Sequence, residues 1–260
     1  MSGQRSSTRR PVGSVARALA ALDALAESPP GLGVNELARR IGVNASTASR
    51  LLGTLEAAGI VERSPAGPYR LGLKLVALAD RVLGQLDVRE RARPWLTWLV
   101  EQTGETVTLS VAGVSEAITV DFVPSPSSVV SMARIGRPSV PHATAAGKVM
   151  LAFAGTVPGE LPAYTERTIT DPAVLRRELD AVRQSGIAEA VGEREPDLNA
   201  LAAPVIGRGG ELIAIVGLQG PAARLPAAKR RALRAPLHRA ADAISLAMGA
   251  ELDKPHRRPP

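Results

Sequence analysis

Apolar residues recur at helical spacing over residues 14–25, with Val15, Leu19, Leu22 and Leu25 near one face, which predicts an amphipathic helix. Ser28-Pro29-Pro30-Gly31 ends it. Residues 34–41 predict a second, short helix, and Gly42-Val43-Asn44 a turn. Residues 45–58 predict a third helix, stopped by Gly59 at the position after the helix end. Residues 60–63 and 69–71 read as two short strands around a Ser64-Pro65-Ala66-Gly67-Pro68 tip. Residues 73–86 carry Leu73, Val76, Ala77, Leu83 and Leu86, a helix that leaves the first domain. Residues 89–102 form another, anchored by Trp95, Leu96 and Leu99.

After Gly104 the pattern changes. Residues 106–111 and 117–123 are rich in Val, Ile and Thr and predict strands, followed by a loop over 124–128. Residues 144–153, 172–185 and 226–248 predict helices; residues 187–193, 201–206 and 212–218 predict strands. The hairpin-like Gly207-Arg208-Gly209-Gly210 points to a largely antiparallel sheet. The expected fold class is α+β: an N-terminal winged helix-turn-helix followed by a larger α/β domain. The expected boundaries are a disordered arm at 1–11, a first domain at 12–73, a linker helix at 74–88, a second domain at 89–250, and a basic, Pro-rich disordered tail at 251–260.

Composition narrows the chemistry. The 260 residues suffice for two domains. Aromatics are only 2% of the chain, so the cores must be aliphatic. Without cysteine there is no disulfide, thiolate nucleophile or Cys-ligated metal, which fits a reducing cytoplasm. The three histidines, His142, His238 and His256, are far apart, so neither a metal nor a cofactor is expected. No apolar run approaches the roughly 20 residues a bilayer span needs, and no signal-peptide core follows the polar N-terminus. The net charge is +7, and residues 1–80 hold ten Lys/Arg against six Asp/Glu, which favours a polyanionic partner.

Residues 34–53 carry the most information. Two helices crossing steeply need a small residue where they touch, which Ala38 supplies, and a turn tolerant of positive φ, which Gly42 supplies. Leu37, Ile41, Val43, Ala48 and Leu51 fall where such a pair buries apolar surface. The outward positions of the third helix are then Asn44, Ala45, Ser46, Thr47, Ser49 and Arg50. Short polar residues let a helix approach base edges, and a long cation can reach guanine or phosphate. Behind them Arg63 and Arg70 flank the Gly/Pro tip, as a wing lying along a sugar-phosphate backbone requires. Asn44, Ser46, Thr47, Ser49 and Arg50 are therefore the candidates for the major groove, and Arg17, Arg63 and Arg70 for phosphates. A helix pair that docks another protein, without DNA contact, is the alternative reading of the same stretch.

The chain resembles the IclR family of bacterial transcription regulators over nearly all of residues 14–248. The resemblance rests on Ser14-Val15-Ala16-Arg17-Ala18-Leu19, Ser46-Thr47-Ala48-Ser49-Arg50-Leu51-Leu52, Leu55-Glu56-Ala57-Ala58-Gly59 and Tyr69-Arg70-Leu71-Gly72. The second half adds Pro141-His142-Ala143-Thr144-Ala145-Ala146-Gly147-Lys148, Gly192-Glu193, Leu201-Ala202-Ala203-Pro204-Val205 and Leu218-Gln219-Gly220-Pro221. It implies a GAF-like effector-binding domain, a homodimer or dimer of dimers, and a palindromic double-stranded DNA operator. It also implies a small-molecule effector, an organic or aromatic acid, whose signal passes through the helix at 73–86. A repressor is expected, although family members act with either sign.

By the same resemblance the effector pocket is lined by Ala145, Ala146, Ala190, Ala200, Gly217 and Gln219. Relatives that bind small oxo-acids carry Asp, Cys or Ser at several of these positions. Here they are mostly Ala and Gly, with Gln219 as the one strong hydrogen-bonding group, which implies a roomier, less polar pocket. Asp197 stands where the family usually has glycine. The motif implies a structural ion pair for Lys148, with Glu193 as candidate partner, and a supporting role for His142 in the loop before Thr144. The alternative from another class is a hydrolytic set of His142, Asp121 and a serine, whose spacing nothing in the sequence fixes.

Overall fold

The computed structural model describes residues 12–28, 30–65, 67–84, 87–127 and 133–251. The expected arm at 1–11, and residues 252–260 of the expected tail, lie outside the described residues. The chain divides into two compact units, residues 1–85 and 86–260.

The first unit runs α1 (Gly13–Ala26), α2 (Val34–Arg40), α3 (Ala45–Ala57), β1 (Val61–Arg63), β2 (Tyr69–Leu71) and α4 (Lys74–Gly84). Its core gathers Ala21 and Leu25 from α1, Leu37 from α2 and Leu52 from α3, closed by Val61 and Tyr69 of the hairpin. Ala38 is buried where α2 and α3 cross, and Gly42 takes φ +66 in the turn between them. A side chain with a Cβ rarely adopts that conformation. β1 and β2 pair antiparallel with Val61 opposite Leu71 and Arg63 opposite Tyr69. Leu32 exchanges two backbone hydrogen bonds with Tyr69, at 2.9 and 2.8 Å, adding a bridge to the hairpin that the pattern did not reveal. Within the range expected for a linker helix, 74–88, α4 ends at Gly84 and the next helix begins at Asp87; Gln85 and Leu86 lie outside the described residues. At its start Lys74 Nζ donates to Ala58 O at 2.9 Å, just past the end of α3.

The second unit runs α5 (Asp87–Thr103), β3 (Thr106–Ala112), β4 (Ala117–Val123), β5 (Pro138–Ser139), α6 (Ala145–Phe153), α7 (Pro172–Ser185), β6 (Ala188–Val191), β7 (Leu198–Ile206), β8 (Leu212–Pro221) and α8 (Ala227–Ala247). The strands form one six-stranded antiparallel sheet in the order β5-β4-β3-β8-β7-β6. Neighbours in the chain are thus mostly neighbours in the sheet, and β8 returns to sit beside β3. α5 and α8 pack on each other and on β3 and β7. α6 and α7 build a separate aliphatic cluster with Ala190, Ala202 and Ile215.

Two helices of this unit start at side-chain caps. Thr144 caps α6, its hydroxyl accepting from Gly147 N at 3.1 Å. A Cβ on Gly147 would sit 2.4 Å from Val140 O, so only glycine lets this helix lie so close to the strand that feeds it. Asp171 caps α7 by accepting from Ala173 N at 2.7 Å, with Pro172 at the first helical position.

Candidate DNA interface and ligand cavity

α3 buries Ala48 and Leu52 against its own unit and turns Ser46, Ser49 and Arg50 to solvent. Thr47 is half-buried. Asn44 stands at the N-cap, where its Oδ1 accepts from Thr47 N at 2.8 Å. This changes the expectation for Asn44: its carbonyl oxygen is committed to the helix end, which leaves the side-chain amide N–H groups pointing outward as its means of contact. The exposed helix N-terminus adds free backbone N–H groups and the positive end of the helix dipole, both suited to phosphate.

Arg17 on α1 is exposed and shares with Thr47 and Arg50 a groove of about 480 Å³ between α1 and α3. Three of the expected nucleic-acid residues thus open on one surface. The hairpin carries the other two cations. Arg63 donates from Nε to Gly67 O at 3.2 Å and lies over the Tyr69 ring at 5.7 Å. Arg70 donates to Glu62 Oε1 at 2.7 Å, an exposed pair that half-neutralises it.

In the second unit a cavity opens where β3, β4, β7 and β8 meet the start of α6. About 70 Å³ of it admits the centres of water molecules. Five of the six expected positions line it: Ala145, Ala146, Ala200, Gly217 and Gln219. Ala190 does not; it faces the aliphatic cluster under α6 and α7, paired with Ala200 across the β6–β7 ladder. The walls also carry Thr108, Thr119, Arg134, Arg137 and Arg194, none of which the sequence reading picked out. Against the expected weakly polar pocket, the walls are rich in hydroxyl and guanidinium groups. Gly217 makes this possible: a Cβ there would come within 2.8 Å of Thr108 Oγ1.

The tempting residues near this cavity resolve into framework. Lys148 is buried and donates to Glu193 Oε1 at 2.8 Å, Glu189 O at 2.9 Å and Glu178 Oε1 at 3.4 Å. His142, also buried, contacts Pro162 O through Nε2 at 2.9 Å and so ties the turn before α6 to residues 155–171. Asp121 pairs with Arg93 at 2.7 Å and accepts from Phe122 N at 2.8 Å. His142 and Asp121 are each spent on separate structural contacts, so no hydrolytic set is assembled. Among the described residues no group of His, Asp and Glu could hold a metal ion, and no helix is long and apolar enough to cross a membrane.

A helix-turn-helix with a short wing, followed in the same chain by a sheet domain with a polar cavity, defines a DNA-binding transcription regulator rather than an enzyme. Comparison with known proteins gives the family. Residues 14–65 match the IclR helix-turn-helix domain, and residues 80–246 match the bacterial transcriptional regulator IclR C-terminal domain. The chain belongs to the IclR family of transcription regulators. It is 33% identical over 244 residues to the HTH-type transcriptional regulator XynR of Escherichia coli (strain K12), covering 91% of this chain and 97% of XynR. It is 34% identical over 222 residues to the glycerol operon regulatory protein of Streptomyces griseus, covering 83% and 87%. Among solved structures, the Thermotoga maritima IclR superposes with a TM-score of 0.71 at 29% identity, covering 91% of this chain and 98% of that one. An IclR homolog from Microbacterium hydrocarbonoxydans, crystallised with 4-hydroxybenzoate, superposes with a TM-score of 0.77 at 26% identity, covering 92% and 100%.

Proposed function

We propose that this regulator is a repressor that binds a palindromic operator as a homodimer or dimer of dimers and is controlled by a small organic acid. The observation that carries the DNA half is α3 itself. Ser46, Ser49 and Arg50 are bare on a helix whose opposite face, Ala48 and Leu52, is fully buried. Asn44, Ser46, Thr47, Ser49 and Arg50 enter the major groove, and Arg17, Arg63 and Arg70 neutralise phosphates. Two-fold symmetry in the protein then matches two half-sites.

The effector half is supported by the arginine-bearing cavity of the second unit and by the relative crystallised with an aromatic acid. Ala145, Ala146, Ala200, Gly217 and Gln219 contribute walls to that site, and Ala190 backs it from the core. The acid changes operator occupancy only because it prefers one arrangement of the two recognition helices over another.

The test is footprinting and a gel-shift titration on the DNA upstream of the protein's own gene, across a salt series, with and without candidate acids. Two protected half-sites, an affinity that falls steeply with salt, and a shift in affinity with one of the acids are the expected results. Protection without symmetry, or an affinity indifferent to salt, overturns the operator reading. An affinity that no acid shifts overturns the effector reading.

A further inference from the structure

The cavity of the second unit contains polar groups that the fold itself leaves unanswered. Thr108 on β3 and Thr119 on β4 are 8% and 7% exposed, and their hydroxyls meet no hydrogen-bond partner among the described residues. Both oxygens keep access to the cavity, where a polar group that enters can pair with them. Arg194 lines the same cavity and pairs with no carboxylate among the described residues. Arg137 differs, since its guanidinium already lies 3.0 Å from Glu195.

Arg194 is also held in place before anything binds. Its guanidinium carbon stands 4.9 Å over the Tyr164 ring, a cation–π contact. The residue before it is fixed from both ends. The Glu193 carboxylate accepts from Lys148, and the Glu193 carbonyl accepts from the Thr168 hydroxyl at 2.6 Å. Thr165 Oγ1 donates to Gly192 O at 2.7 Å. A cation set in place by neighbours that do not neutralise it recognises an anion without first losing side-chain freedom.

We infer that Arg194 reads the acidic group of the effector, that Thr108 and Thr119 read oxygen atoms farther along it, and that the ligand is a short hydroxy acid. This rests on the reading of the cavity as the effector site. The same hydroxyls discriminate between acids. A hydroxy acid of a few carbons offers them oxygen atoms, whereas the ring of an aromatic acid would leave them without a partner. Tyr164 is a positioning residue, because it acts through Arg194.

The experiment is calorimetric titration of the full chain with D-glycerate, with its neutral counterpart glycerol, and with 4-hydroxybenzoate, each protein first checked for a cooperative melt. D-Glycerate is expected to bind at least tenfold more tightly than either of the others. Arg194→Gln should weaken it at least tenfold and erase the preference over glycerol, and Thr119→Val should weaken it several-fold. Tyr164→Leu should weaken glycerate, whereas Tyr164→Phe, which keeps the ring, should restore it. Equal affinity for glycerol, tighter binding of 4-hydroxybenzoate, no binding of glycerate, or an indifferent Arg194→Gln each overturns the inference while leaving the cavity as a binding site. The cavity-filling Ala200→Phe separates the two claims; Ala146→Met replaces it if that variant does not fold. Loss of glycerate binding there upholds the site, and undiminished binding puts the ligand elsewhere and overturns the effector-site reading itself.

Discussion

Lys148 Nζ lies 2.8 Å from Glu193 Oε1, and both side chains are buried. The other oxygen, Glu193 Oε2, has no hydrogen-bond partner among the described residues. Losing the lysine therefore strands a carboxylate that already lacks one of its contacts. Removing one partner of such a pair costs about 3–5 kcal/mol. Lys148→Met should lower stability by that amount in urea unfolding. Adding Glu193→Leu to it should recover part of the loss, a coupling that a double-mutant cycle reads directly. A single-variant loss below about 1 kcal/mol would show that the pair behaves as if it were in water.

Acid should loosen the second unit through Glu105. Burial pushes its carboxyl up, but the hydrogen bonds and positive charges of Arg224 and Lys229 together outweigh burial and hold it below its ordinary 4.5. A depressed carboxylate stabilises the fold fully above its unfolded value and gives that stability up as pH falls through the folded one. Denaturant midpoints measured from neutral pH downward should drop below about pH 4.5. Glu105→Gln should be less stable at neutral pH and should flatten that drop. An unchanged slope in the variant would assign acid sensitivity to other carboxylates.

Arg50→Ala bears on how the operator is read. If the guanidinium pairs with a base, specific binding weakens by about 1–3 kcal/mol while random DNA is little affected. Equal weakening on both, with a shallower dependence on salt, would make Arg50 a phosphate contact instead. A gel-shift series on operator and scrambled DNA distinguishes them.

Asn44→Ala should cost stability as well as binding. The side chain caps α3 through Thr47 N, and losing such a cap costs about 1 kcal/mol. Asn44→Asp keeps the cap oxygen, removes the amide donors and adds a negative charge facing DNA. It should therefore retain the melting temperature and lose operator affinity. A variant that kept both would take Asn44 out of the interface.

Gln219→Leu should abolish the response of operator binding to the effector. The residue lines the cavity from β8, opposite Ala200 on β7 and Thr106 on β3. A gel shift with and without the bound acid reads this. A response of undiminished size would place Gln219 outside the contact set.

Most elements were legible because their patterns are long. α1, α3, α7 and α8 each repeat apolar residues over several turns, and Gly42 and Gly59, both at positive φ, mark the ends of α2 and α3 in the sequence. β5 was missed because Pro138 and Ser139 have no pattern of their own and are a strand only by pairing with Ile118 and Ala117. The cavity was half legible. Positions on α6 and β8 came from motif resemblance, whereas Arg194 sits in a turn and Thr119 on a strand otherwise read as core. One signal was available: Thr106, Thr108 and Ser110 alternate on a central strand and are all buried, and a polar row on a buried strand needs something polar to face.

The sheet of the second unit ends in β5, two residues long, and β6, four residues long. A foreign strand arriving at β5 or β6 itself would find only a short ladder to extend, and Pro138 offers no N–H at one of the two positions of β5. Strand addition at those two strands, a route to fibrillar deposits, is thereby discouraged.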